Sequence, residues 1–370
     1  MHLEKLSLLN FKNYTEAKLS FHPKINCFVG NNGMGKTNLL DAIHYLSFCK
    51  SFFNPLDSQN IRHDQGFFML QGNYILNGQP EEIYCGIKRS QKKQFKRNNN
   101  EYERLSEHIG LFPLVMISPS DSELITGGSE MRRKFMDSII SQYDKVYLER
   151  LIAYNQVLTQ RNALLKRFAE TRNFDSVSLE VWDDQLIMHG EGILAKRKDF
   201  IKDFIPLFQK NYEFISDSSE KVSLEYESTL NTRDFKTALL AAIEKDRVMQ
   251  YTTAGTHRDD LEFKLNGQSL KKFASQGQQK SYLLALKLAQ FEIIKGIKKI
   301  SPLLLLDDVY DKLDEKRFRK LISLVGSETY GQVFITDTHA QRIENLFNES
   351  HTPYRIFIVE NADIKIHSNA

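Results

Sequence analysis

Apolar positions in the first third of the chain follow the short periods of β-strands. Leu3, Leu6, Leu8 and Phe11 mark one strand-like stretch, and Ile25-Asn26-Cys27-Phe28-Val29 is a compact apolar run. Glycines break the pattern between Gly30 and Gly35, after which Lys36 to Phe48 predicts a helix. Residues 67–76 and 82–88 predict two more strands, joined by the turn signal Asn77-Gly78-Gln79-Pro80, and Leu111 to Ile117 another. The middle of the chain changes character. From Met131 to Phe168 and from Leu179 to Tyr212 apolar residues recur at helical spacing, as in Leu148, Leu151, Ile152, Leu158 and Leu165, with the break at Thr171–Ser176. No heptad pattern lasts long enough for a coiled coil. Strand-like segments return at Leu261–Leu265, Leu303–Leu306 and Gln332–Thr336, alternating with helical ones. This order predicts an α/β unit split around a helical insertion: an N-terminal part at 1–118, an inserted helical lobe at 119–249 and a C-terminal part at 250–370.

Composition narrows the class. With 41% hydrophobic and 26% charged residues in 370, the chain has the make-up of an ordinary globular protein. No apolar run reaches the ~18 residues of a membrane span, and the start lacks the apolar core of a signal peptide. The expected location is therefore cytoplasmic, with no membrane contact. Cys27, Cys49 and Cys85 are too widely spaced for a disulfide framework or a zinc site. The net charge of +3 excludes a tail-driven polycation, yet the total hides an uneven distribution. Residues 119–249 carry 19 basic and 22 acidic side chains, whereas 88–104 carry seven basic against two acidic. Attraction depends on local potential, not on the total. Lys88, Arg89, Lys92, Lys93, Lys96 and Arg97, interleaved with Phe95 and Tyr102, therefore form one candidate strip for nucleic-acid phosphates. The alternative is a solvated edge kept charged against strand pairing. Arg132, Arg133 and Lys134 form a second candidate, the alternative being bracing against Asp137 or Asp121.

The residues that carry chemistry begin at Gly30-Asn31-Asn32-Gly33-Met34-Gly35-Lys36-Thr37, a GxxxxGK[ST] match between a predicted strand and a predicted helix. Its glycines let backbone N–H groups wrap phosphates, Lys36 reaches the β- and γ-phosphates, and Thr37 offers a hydroxyl to Mg²⁺. Lys12 and Asn38 complete the expected nucleotide-binding set. An acid is needed at the end of a neighbouring strand, and Leu303-Leu304-Leu305-Leu306-Asp307-Asp308 supplies it, at the end where open parallel sheets bind ligands. Asp307 is the candidate metal carboxylate, and Asp308 the residue that orients or deprotonates the attacking water. About thirty residues earlier, Ser275-Gln276-Gly277-Gln278 opens a strongly helical run. It reads either as a second phosphate-binding edge of Ser275, Gly277 and Gln278 or as a helix N-cap.

Taken in order, these pieces resemble the RecF family of recombination and repair ATPases, related to the SMC proteins. The resemblance rests on Asn10-Phe11-Lys12-Asn13-Tyr14, the phosphate loop, Lys50-Ser51-Phe52, Arg132-Arg133-Lys134-Phe135-Met136-Asp137 and Gln160–Lys166. In the last third it adds Gly255-Thr256-His257-Arg258-Asp259-Asp260, the Ser275 segment, and Leu306-Asp307-Asp308 leading to Leu313-Asp314. It implies an ABC-type P-loop ATPase head with a mixed sheet, using ATP and Mg²⁺, and an ATP-dependent homodimer. In that dimer each nucleotide lies between one protomer's phosphate loop and the other's Ser275 segment. It further implies DNA as partner (single- and double-stranded, gapped), weak DNA-dependent ATP hydrolysis, and action with RecO and RecR to load RecA. The sequence departs from the family pattern at Thr256, in place of a proline, and at Phe53, in place of an arginine. Thr338 and His339 both stand where a switch residue is expected, and no glutamine is assigned to the Q-loop. Three rival readings are disfavoured: a nuclease with a following carboxylate-rich domain, for which about sixty residues after Asp307 leave no room; a zinc-hook ATPase, which needs CxxC and coiled-coil arms; and a transporter subunit, which leaves the inserted lobe unexplained.

Overall fold

The computed structural model describes residues 1–216, 220–308, 315–327, 329–349 and 352–369. In chain order the first part contains β1 (His2–Phe11), β2 (Tyr14–Ser20), β3 (Ile25–Val29), α1 (Lys36–Phe48), β4 (Phe67–Leu76), β5 (Gln79–Lys88), β6 (Gln94–Arg97), β7 (Asn100–Glu101) and β8 (Leu114–Ile117). The middle contains α2 (Glu123–Thr126), α3 (Ser129–Tyr143), α4 (Lys145–Thr171), α5 (Ser176–Ser216), β9 (Val222–Glu227), α6 (Phe235–Met249), β10 (Asp260–Leu265), β11 (Gln268–Ser269), α7 (Leu270–Phe273) and α8 (Gln276–Lys298). The last part contains β12 (Leu303–Leu306), α9 (Glu315–Gly326), β13 (Val333–Asp337), α10 (Ala340–Glu349), β14 (Tyr354–Glu360) and β15 (Asp363–Asn369).

Two compact units result. One comprises Met1–Asp121, Phe214–Asp217 and Lys280–Ala370, the other Ser122–Glu213 and Ser218–Gln279. The first unit holds two six-stranded sheets. One is antiparallel, in the order β2-β1-β4-β5-β6-β7; the other runs β15-β14-β3-β13-β12-β8 and is parallel except for the edge strand β15. β3 and β12 are buried at every position, as expected of interior strands of a parallel sheet. α1 is buried nearly all round. Its Leu39, Leu40, Ile43 and Leu46 share one apolar cluster with Leu6, Leu8 and Leu70 of the antiparallel sheet and Phe28, Leu303, Leu305 and Phe334 of the mixed one. A helix so enclosed is held by packing more than by its own propensity.

The second unit is helical with a three-stranded antiparallel sheet, β11-β10-β9. The predicted helix over Met131–Phe168 is two helices. Asp144 leaves the helical region (φ −127°, ψ 100°) and its Oδ1 accepts the Tyr147 N–H at 2.9 Å, so it caps a new start. Residues 250–279 group with this unit instead of rejoining the first at 250, because β10 pairs with β9 and the Gly255–Asp260 segment is tied to α5. The tie is Arg197, 2% exposed, which donates to both Asp137 oxygens at 3.0 Å, to the Thr256 carbonyl at 2.8 Å and to Asp259 Oδ2 at 3.3 Å. Arg161, fully buried, pairs with Asp246 at 2.7 Å and with Asp183 at 2.5 Å in the same manner. Among the described residues no helix is long and apolar enough to cross a membrane.

Removing one partner of a buried ion pair strands the others in low dielectric, at a cost of about 3–5 kcal/mol. Arg197→Ala is therefore expected to destabilise the second unit by about that amount, read from urea unfolding followed by the fluorescence of Trp182, which lies in α5.

Candidate functional site

The phosphate loop leaves the C-terminal end of β3 and enters α1 directly. Two glycines are demanded by geometry. A Cβ on Gly30 would lie 2.2 Å from the Val359 carbonyl oxygen of the neighbouring β14, and Gly35 adopts φ 111° with Asn13 and the Tyr14 hydroxyl within 3.0 Å of its missing Cβ. The opening motif thus holds the loop from outside: Tyr14 OH donates to the Gly35 carbonyl at 3.1 Å, Asn13 Nδ2 to the Met34 carbonyl at 3.3 Å, and Asn38 Nδ2 to Asn13 Oδ1 at 2.7 Å. Asn31, Asn32 and Gly33 are exposed. No side chain caps α1 and its first turn carries no acid, which leaves its leading N–H groups and the positive end of its dipole for an anion. Lys36 folds back into the loop, donating to the carbonyls of Gly30 at 2.7 Å and Asn31 at 3.0 Å.

The acids meet this loop where the sequence placed them. β12 lies two strands from β3, and at its end Asp307 Oδ1 accepts from Thr37 Oγ1 at 2.9 Å and from Thr336 Oγ1 at 3.0 Å. Thr336, at the end of β13, also accepts the Asp308 N–H at 2.8 Å and has its hydroxyl 3.3 Å from Asp308 Oδ1. A threonine inside an apolar strand carries no sequence signal of its own, so only the structure brings Thr336 into the site. Burial pushes the Asp307 carboxyl up to about 6, with the Asp308 charge adding to the rise and the Thr37 and Thr336 hydroxyls and Lys36 pulling against it. A buried carboxylate beside a second acid and a threonine hydroxyl fits a hard divalent cation with oxygen ligands. Thr37 and Asp307 are the protein groups that would hold it.

Other expected residues have different surroundings. Lys12 does not point into the loop; its ammonium is 2.6 Å from the fully buried Asp41 of α1, which also accepts from Ser51 Oγ at 2.6 Å and the Phe52 N–H at 2.7 Å. The Lys50-Ser51-Phe52 motif is thereby pinned to α1. Phe53, the departure from the family arginine, has the Lys12 ammonium 5.3 Å from its ring centre. A groove lined by Lys12, Thr37, Asn38, Phe53 and Arg89 opens beside the loop. Ser275 is the cap of α8: its N–H donates to Gln278 Oε1 at 2.7 Å and its Oγ accepts the Gln278 N–H at 3.3 Å, a reciprocal capping box. Gln278 also donates to Glu220 Oε1 at 2.6 Å. Gly277 is in the first turn of α8, and residues 275–278 group with the second unit. His339 is exposed and its N–H binds Asp337 Oδ1 at 2.8 Å, while Thr338 is half-buried. Leu313 and Asp314 lie outside the described residues.

The basic candidates divide. Lys88, Arg89 and Lys92 are exposed, and Lys96 is half-buried with its ammonium 5.9 Å from the Tyr84 ring. Four others are internal braces. Lys93 is turned inward onto Asp57 at 2.8 Å, Arg97 makes a two-pronged pair with Glu81 (2.8 and 2.5 Å), Arg132 does the same with Asp260 (2.7 and 2.8 Å), and Arg133 donates to the Asp259 carbonyl at 2.6 Å. Asp137 and Asp121 bind Arg197 and Lys287, not Arg132 and Arg133. Phe95, expected among the strip's contacts, is a core residue.

A glycine loop between strand and helix, a lysine and threonine at the helix start, and an acid from a nearby parallel strand define an ABC-type P-loop ATPase head. The chain matches the RecF/RecN/SMC N-terminal domain over residues 2–365. It is 52% identical over 357 residues to the DNA replication and repair protein RecF of Flavobacterium johnsoniae, covering 96% of this chain and 99% of that one. To the protein of the same name from Phocaeicola vulgatus it is 52% identical over 366 residues, 98% of each chain. A solved structure of the recombination mediator RecF with ATP, from the RecFOR pathway, superposes with a TM-score of 0.90 at 30% identity over 99% of this chain and 98% of that one. An Smc head bound to the C-terminal winged-helix domain of ScpA shares the fold alone, at a TM-score of 0.58 and 14% identity over 99% of this chain and 97% of that one. The chain belongs to the RecF family.

A cation held at Asp307 would compete with protons for its carboxyl. Divalent-cation affinity of the nucleotide complex is expected to hold above pH 6 and to fall by up to about tenfold per unit below it, since a protonated carboxyl is not a ligand. Titrating Mg²⁺ at pH 5 and pH 7.5 measures this, and Asp307→Asn should weaken Mg²⁺ binding at both values and flatten the difference.

Proposed function

We propose that the protein is an ATP-dependent DNA-binding protein of recombinational repair and replication. It binds and slowly hydrolyses Mg²⁺-ATP, dimerises on DNA gaps and single-strand/double-strand junctions, and with RecO and RecR promotes the loading of RecA. The observation that carries this is the Thr37–Asp307 hydrogen bond, which joins the phosphate loop to the acid of a neighbouring strand. RecF structures solved with ATP and described in the RecFOR pathway support both the nucleotide and the partner assignments.

In this reading the N–H groups of the loop and the α1 terminus take the β- and γ-phosphates, and Lys36 exchanges its two carbonyl partners for phosphate oxygens. Thr37 and Asp307 would hold the cation, which would supply positive charge to the phosphates. Asp308, kept beside Thr336, orients the attacking water and accepts its proton. The Ser275 segment of a second protomer completes the site. The start of α8 is the positive end of that helix's dipole, which suits an anion. Lys88, Arg89, Lys92 and Lys96 are the side chains left to meet DNA phosphates on the basic strip.

Removing the water-orienting carboxylate while keeping the metal ligand should stall hydrolysis with ATP bound. Asp308→Asn is therefore expected to run at twice the monomer mass on gel filtration with Mg²⁺-ATP and at the monomer mass without it. No ATP-dependent shift would sink the sandwich dimer. On DNA, replacing Lys92 by Ala should weaken binding equally for all sequences and lower the slope of log affinity against log salt by about one unit. An unchanged slope would remove the strip from the interface.

A further inference from the structure

The turn between β5 and β6 carries basic residues of two kinds. Lys88 and Lys92 stand in solvent, while the next residue, Lys93, is turned inward with its side chain 14% exposed. Its ammonium is 2.6 Å from the Cys49 carbonyl, 2.8 Å from Asp57 Oδ2 and 5.0 Å from the centre of the Tyr45 ring. Each partner belongs to α1, its C-cap or the short turn that follows it. Cys49 is the C-cap of α1, in the left-handed conformation at φ 56°, and Tyr45 lies in the last turn of the same helix, with its hydroxyl donating to Asp57. Asp57 opens the short turn Asp57–Asn60, whose Ser58 and Gln59 line the groove together with Thr37 and Asn38. Arg89, from the same β5–β6 turn, lines that groove as well. A cation at the C-terminal carbonyls of α1 complements its dipole, whose other end is the phosphate site.

We infer that Lys93 is a positioning residue that couples the DNA strip to the nucleotide site. This rests on the ATP-dependent DNA binding proposed above. When phosphates of a nucleic acid engage Lys88 and Lys92, the turn between them loses freedom, and Lys93 is held on α1 and on the groove wall. The wall and the helix are then already ordered when nucleotide arrives, so each ligand favours the same clamped state. Reciprocity requires nucleotide to tighten DNA by the same factor by which DNA tightens nucleotide. The ammonium spans the two sites without touching either ligand.

The test is a four-corner binding cycle on the full chain: affinity for a fluorescently labelled gapped duplex, with and without a non-hydrolysable ATP analogue and Mg²⁺. For the unaltered protein a coupling factor of about tenfold is expected, within the usual range for linked sites. Lys93→Met should bring the factor to within about twofold of unity while changing DNA affinity without nucleotide only slightly. Asp57→Asn removes the partner and leaves every basic charge in place, and it should lose the coupling in the same way; Lys93→Arg should retain part of it. Full coupling in Lys93→Met, or loss of nucleotide-free DNA affinity in Lys93→Met with Asp57→Asn unaffected, overturns the inference, the latter by making Lys93 a phosphate contact. Should Lys93→Met fail to fold, Asp57→Asn decides alone. No coupling in the unaltered protein would instead fell the ATP-dependent reading on which the inference stands.

Discussion

One buried carboxylate organises the nucleotide-binding unit. Asp307 sits at the end of β12 and accepts from Thr37 at the head of α1 and from Thr336 at the end of β13, so a single side chain ties the phosphate loop to two parallel strands. Its position is uncomfortable by design. Burial beside Asp308 raises its pKa to about 6, so at neutral pH the carboxylate is a charge that low dielectric disfavours. Because the folded-state value lies above the ordinary one, this group favours folding at low pH and opposes it progressively as pH rises from about 4 to 6. A cation held by Asp307 and Thr37 would offset that cost.

The same economy of contacts recurs around the loop. Gly30 lets β14 pass at van der Waals distance, and Gly35 makes room for Asn13 and Tyr14. Asp41 gathers Lys12, Ser51 and the Phe52 backbone onto α1. Motifs that read as separate pieces along the chain are therefore one scaffold around a helix, and their charged members serve each other before any ligand. In the second unit Arg197 and Arg161 play the corresponding part. Each fixes several segments by satisfying their carboxylates and carbonyls away from water.

The chemistry that sequence alone determined is local. The run Gly30–Thr37 dictates a phosphate loop because its turn needs glycines and its lysine and threonine fall at the first positions of the helix, and α1 begins and ends where periodicity placed it. Leu303–Leu306 dictates a buried strand with acids at its end for the same reason. What tertiary structure decided is which of several identical charges faces outward. Lys92 and Lys93 are indistinguishable as letters, yet one is in solvent and the other clamps Asp57. Arg97, Arg132 and Arg133 looked like phosphate contacts until the fold set Glu81, Asp260 and the Asp259 carbonyl against them, two of these partners lying more than a hundred residues away. Thr336 became part of the site only when β13 was laid beside β12. A charge or hydroxyl takes its role from the partner that packing brings to it, and spacing along the chain does not encode that partner.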